Sequence, residues 1–194
     1  MTVLNAENLP RIILAVAQEL QNRRAELNRA DALLGDGDTG TMLATASSAV
    51  VSALEEVKMV TPGEVLSEVS AAIKGSTGSS LGTLLAVGLR SVAKHFGEET
   101  SISESQFGEA LFIAAEKMKS AGGASSGDKT IIDSVEAIAD SPFDAAVAAE
   151  RVLREFRDRP CRAGRARLYP EASIGAGDPG MLAVAIMARV AVEP

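Results

Sequence analysis

The sequence holds no tryptophan, one tyrosine and only 3% aromatic residues. Alanine, valine, leucine and isoleucine must therefore fill the interior, which suits close helix packing better than a sandwich of aromatic-rich strands. A single cysteine, Cys161, excludes an internal disulfide framework and a multi-cysteine zinc site. Positive charge is in deficit. The net charge of −7 argues against a nucleic-acid partner, which needs a basic face for the phosphate backbone. No apolar run reaches membrane-spanning length and the N-terminus lacks a signal-peptide pattern, so no membrane partner is expected and a cytoplasmic location is the default expectation. No Pro/Gly/Ser-rich linker divides the chain, and residues 1–194 are read as one domain. Neither strand pairs with hairpin turns nor internal repeats are found. Histidine is scarce as well: His95 stands alone, late in an apolar helix, and reads as a surface or capping residue.

What the chain does have is concentrated in Asp31–Thr41, which reads Asp-Ala-Leu-Leu-Gly-Asp-Gly-Asp-Thr-Gly-Thr. Asp31, Asp36 and Asp38 fall within eight residues, with Gly35, Gly37 and Gly40 interleaved. A turn through Gly37 can aim Asp36 and Asp38 at one point, within reach of Asp31 at the end of the preceding helical pattern. Three such charges repel one another unless a cation sits between them, and magnesium suits a few carboxylates plus water or phosphate oxygens. A solvated Asp/Gly turn between two helices is the competing reading.

Helical spacing runs through most of the remainder. Residues 8–29 carry Pro10 near a helix start and apolar Ile13, Ala17, Leu20 and Leu27 on one face. A second helix, low in charge, spans Gly40–Val57, and a third opens at Thr61-Pro62 and runs to Lys74. Gly75-Ser-Thr-Gly-Ser-Ser-Leu-Gly-Thr83 then leads into an apolar helix over 84–96. Small residues at a helix start offer free N–H groups to an anion. They serve a close helix crossing equally well, and no Walker lysine is present. Further helices are expected over 103–120, 142–158 and 180–192. Between them, Asp128 is read as the cap of a helix starting at Lys129, and Lys129 as neutralising a phosphate or, the favoured reading, pairing with a first-loop carboxylate. Arg165, between Gly164 and Ala166, has room for a ligand to approach. Gly175-Ala-Gly-Asp-Pro-Gly180 fits G-x-G-x-x-G, yet lies too close to the last residue for a βαβ unit to follow, and Asp178-Pro179 is read instead as the start of the final helix.

Taken together, Asp31–Thr41, Gly75–Thr83, Gly127–Asp133, Gly164-Arg165-Ala166 and Asp178–Gly180 resemble the nucleotide-binding DhaL subunit or domain of dihydroxyacetone kinases, in that family's order and over essentially the whole chain. The resemblance implies an all-α barrel of about eight antiparallel helices with nucleotide held by loops at one end. It implies that Asp31, Asp36 and Asp38 hold two magnesium ions that grip the phosphates of ADP or ATP. Thr39, Gly40, Thr41, Met42, Gly75, Ser76, Thr77, Gly122, Ile131, Asp178, Pro179 and Gly180 then contact the nucleotide, and Arg165 is the catalytic arginine near the phosphates. A DhaK-like subunit is implied as the partner holding dihydroxyacetone or a related short keto-sugar or polyol, with a phosphotransferase-system protein as a further candidate partner and a homodimer as the expected assembly. Members recharged by that system carry His and Asn where this chain has Thr39 and Met42; its Asp-Gly-Asp-Thr-Gly-Thr string is closer to ATP-using members and to the kinase domain of fatty-acid kinases. The segment from Lys129 to Arg165 is short for the family. Against this kinase reading stand a non-catalytic nucleotide-binding adaptor, which need not keep a charged cage, and a two-metal phosphatase, which the lack of His and Glu near the loop disfavours.

Overall fold

The computed structural model describes residues 3–56 and 59–192, and among them the chain is mostly helical. Helix α1 (Leu9–Asn22) has proline in its first turn and buries Leu9, Ala17 and Leu20. The apolar spacing continues to residue 29, but the helix does not. Arg23 leaves helical geometry at φ −88°, ψ 6°, and α2 (Arg24–Asp31) restarts beyond it. The Arg23 guanidinium spans the break, pairing with Glu19 at 2.6 Å and Glu26 at 3.0 Å. The bend lets Arg24 and Asn28 of α2 reach Thr41 at the start of α3 (Thr39–Glu56). Val57, where the sequence pattern ends that helix, lies outside the described residues.

Helix α4 (Pro62–Ser76) begins with a reciprocal capping box between Thr61 and Glu64. Helix α5 (Ser80–Phe96) starts four residues before the expected position, because the Ser79 hydroxyl accepts the Gly82 amide at 2.9 Å and caps it there. Helix α6 (Glu104–Gly122) carries a Ser103/Gln106 box and ends on left-handed Gly123. Helices α7 (Ile131–Asp140), α8 (Ala145–Phe156) and α9 (Pro179–Val192) complete the order, with a 3-10 turn at Pro142–Asp144 taking the first residues of the helix expected over 142–158. One strand pair exists after all. β1 (Leu4–Asn5) and β2 (Ser101–Ile102) pair antiparallel, two residues each, with no hairpin turn to announce them.

Each helix from α3 onward packs against the next, α1 packs against α3, and α9 returns to α1, while α2 lies across α3 and α9. Glycines mark how the ends meet. Gly63 at the start of α4 abuts the Gly97 carbonyl at the end of α5, and Gly122 at the end of α6 lies against Leu84 early in α5. Met42 of α3 approaches Gly82 of α5, and Gly180 of α9 touches Leu81 of α5 and Ile131 of α7. The starts of α3, α5, α7 and α9 therefore gather at one end. The interior is built from small aliphatic residues, among them Ala46, Ala86, Ala114, Ala149 and Ala185. It leaves a cavity of about 630 Å³ lined mainly by apolar side chains from α1 and α3–α9. Among the described residues no helix is long and apolar enough to cross a membrane.

Candidate functional site

Asp31 is the last residue of α2 and is buried; its Oδ2 accepts the amides of Asp38 at 2.9 Å and Thr39 at 3.1 Å. These bonds fold the Asp31–Thr39 loop back on itself through Gly37, whose φ of +75° favours glycine. Asp36 and Asp38 remain exposed, and one carboxylate oxygen from each of the three aspartates lies within 4.8 Å of the others. The crowding shows in their acidities. Partial desolvation, then the charges of Asp36 and Asp31, push the Asp38 carboxyl up, whereas a hydrogen bond from Arg165 holds that of Asp36 down. Arg165 forms an ion pair with Asp36, so the arginine and the acidic cluster meet at one place. Three hard oxygen donors converging with their charges unbalanced fit a divalent cation such as magnesium. A side chain at Gly35 would strike Asp31 Oδ1 and displace that carboxylate from the cluster.

The remaining expected contacts fall into two groups. Met42, Gly122, Ile131 and Gly180 surround the first turns of α5 and α7, where Gly122 meets Leu84 and Gly180 meets Leu81 and Ile131. Pro179 opens α9, and Asp178 caps it, accepting the Met181 amide at 2.8 Å. Burial pushes the Asp178 carboxyl up to about 6, against the lowering effect of its amide bonds and of Lys129. The second group is spent on the scaffold. Thr41 Oγ1 accepts from Arg24 at 3.2 Å and Asn28 at 3.0 Å, the Thr41 amide returns to Asn28, and Gly40 is pressed against the Arg24 carbonyl. Thr39 is buried with its amide on Asp31. The Ser76 hydroxyl donates to the Ile73 carbonyl at 2.9 Å, and Thr77 Oγ1 accepts the Ser79 amide at 3.1 Å. Gly75 lies in the exposed last turn of α4 with nothing close to it.

Two readings around Lys129 are corrected. Lys129 pairs with no first-loop carboxylate; its ammonium is buried and donates to the carbonyls of Arg157, Arg159 and Ser173 at 2.9, 2.8 and 2.8 Å. All three donors of the ammonium are thereby used. Nor does Asp128 cap a helix at Lys129. The helix starts at Ile131 and is capped by Thr130, in a capping box with Asp133, while Asp128 accepts the Ser125 amide at 2.7 Å. Lys129 is the one non-glycine residue among those described with positive φ, +62°, which costs a side-chain-bearing residue about 1–2 kcal/mol. Ion-pair logic alone could not have found this role, because the partners are backbone carbonyls far along the chain. The signal available was the lysine set directly after a Gly-Asp turn.

Residues 33–193 match the DAK2 domain. The chain belongs to that family. An ADP-binding subunit DhaL of a PTS-dependent dihydroxyacetone kinase from Lactococcus lactis is 27% identical, with 91% of each chain covered. An L-erythrulose 1-kinase from Mycolicibacterium smegmatis is 29% identical over 97% of this chain, but over 35% of its own length. This chain thus spans about a third of that relative. The dihydroxyacetone kinase of C. freundii in complex with AMP-PNP and Mg2+ superposes with a TM-score of 0.76 and 25% identity, covering 95% of this chain and 33% of that one.

Proposed function

We propose that the chain is the nucleotide-binding component of a dihydroxyacetone kinase-type system, passing phosphate from a magnesium nucleotide to dihydroxyacetone or a related short keto-sugar or polyol held by a partner subunit. The observation that carries it is the convergence of Asp31, Asp36 and Asp38 with Arg165. In this reading α1 and α3–α9 close an up-and-down barrel of eight antiparallel helices, and the gathered starts of α3, α5, α7 and α9 form its nucleotide end. The three aspartates hold two magnesium ions, which when bound neutralise charge on the β and γ phosphates. Arg165 moves from Asp36 to the phosphoryl oxygens. The Ser80 and Leu81 N–H groups, left over once the Ser79 hydroxyl has taken the Gly82 amide, donate to phosphate, helped by the Thr77 hydroxyl. Leu81, backed by the buried Ile131 and Gly180, supplies an apolar surface for the base. Positioning and charge stabilisation do the work; no residue of this chain needs to become covalently modified. In this proposal the ketose is held by a substrate-bearing partner.

Thermal unfolding with magnesium and ADP or AMP-PNP tests it. Ligand at a hundred times its Kd contributes about 2.7 kcal/mol, a rise in Tm of roughly 5–11 °C for a chain of this size. Asp36→Ala is expected to abolish that rise. No shift with either nucleotide, or an undiminished shift in Asp36→Ala, overturns the reading.

A further inference from the structure

Arg165 sits on a stretch with almost nothing of its own to hold it. From Arg162 to Gly177 only Ser173 is buried, and the segment contains two short 3-10 turns, at Arg165–Leu168 and Pro170–Ser173. Its order comes from the neck, where the outgoing and returning chains meet. The Gly175 amide donates to the Arg157 carbonyl at 2.9 Å, and Arg157 Nε returns a bond to the Gly175 carbonyl at 2.7 Å. The Cys161 amide donates to Ser173 Oγ at 2.7 Å, and Ser173 Oγ in turn to the Pro170 carbonyl at 2.5 Å. At the centre lies the Lys129 ammonium, bonded to Arg157 and Arg159 on the outgoing side and to Ser173 on the returning side.

We infer that Lys129 is a positioning residue for Arg165. By tying both sides of the neck with one buried ammonium, it fixes where the loop leaves the helical body and so sets the guanidinium against Asp36. Two features beyond the bonds support this. The carbonyls of Arg157 and Arg159 lie at and just past the C-terminus of α8, where a cation complements the helix dipole. Position 129 also keeps lysine in a left-handed conformation that glycine would adopt without strain, so the side chain itself is what the position retains. The adjacent Arg162 amide bonds the Asp128 carbonyl at 3.0 Å, fastening the same turn to the same loop a second time. The inference rests on the nucleotide reading above for its functional half, and on geometry alone for its structural half.

The test separates the two halves. Tryptic cleavage after Arg162, Arg165 and Arg167 reports loop order without any ligand, and Mg-AMP-PNP affinity reports the placement of Arg165. Lys129→Met is expected to speed cleavage at these three sites at least tenfold, with cleavage in α1–α7 unchanged. It should also weaken Mg-AMP-PNP by about the same factor as Arg165→Gln. The double variant should bind no worse than Arg165→Gln alone, since a residue that acts only by placing another adds nothing once that other is gone. Lys129→Gln, which keeps a neutral donor for one carbonyl, is run alongside and is expected to fall between, so the claim stays decidable should the methionine variant not fold. Wild-type cleavage rates in both variants, or losses that multiply in the double variant, overturn the inference. If the wild type binds no Mg-AMP-PNP, the nucleotide reading falls, and the cleavage arm alone decides whether Lys129 orders the loop.

Discussion

Removing the carboxylate of Asp31 takes away the acceptor for the Asp38 and Thr39 amides as well as an oxygen of the acidic cluster. Asp31→Ala is therefore expected to lower stability by roughly 1–3 kcal/mol even without metal, the cost of leaving buried donors unpaired. Asp36→Ala, at an exposed side chain whose ion-pair partner Arg165 is also exposed, should leave the metal-free urea midpoint close to wild type. Urea unfolding in a chelating buffer measures both. Asp178 makes a pH-dependent statement. Its carboxyl is raised from 3.8 to about 6 in the folded protein, so between those values the folded state holds a proton that the unfolded state has lost. Stability from this group accordingly falls as pH rises through that window, and is level above it. Asp178→Asn, which still caps α9, is expected to flatten the profile between about pH 4 and 6.

At the level of helices and loops, the α5 start combines the Ser79 cap with a neighbouring glycine-rich stretch, and bound phosphate should occupy the donors the cap leaves over. Hydrogen exchange at the Ser80 and Leu81 amides is expected to slow at least tenfold with Mg-AMP-PNP, while the start of α4, at the other end, is unaffected. Much of this was legible in the chain. Thr61-Pro62 and Asp178-Pro179 announced their helices because caps and N1 prolines act locally, and both are found in those roles. That Asp31, Asp36 and Asp38 could meet was legible in their spacing, which left a solvated turn open as well; the structure brings them together. What spacing could not show was the break at Arg23, since the apolar period runs straight through it and the bonds of Asn28 and Arg24 to Thr41 that go with the bend join residues 13 and 17 positions apart. The same holds for Lys129, whose partners lie 28 to 44 residues away and are backbone atoms that carry no sequence signature.

For the molecule as a whole, the shortage of aromatic residues has a visible counterpart. Alanine-rich faces let the helices approach closely, yet their small side chains leave the interior unfilled around Ile13, Val69, Leu89 and Val184. Composition predicted helices packed on helices; it could not foretell a hollow, because that depends on how far apart the ring of helices is held. Charge is distributed just as unevenly. The chain carries −7 overall, while Arg157, Arg159, Arg162, Arg165 and Arg167 stand against Asp158 alone within one short stretch. A polyanion is expected to be repelled by the net charge and drawn toward this arginine-rich stretch, where Arg165 meets the acidic cluster. Raising the ionic strength should then slow the capture of a triphosphate severalfold while leaving its escape nearly unchanged, a contrast that stopped-flow mixing resolves directly.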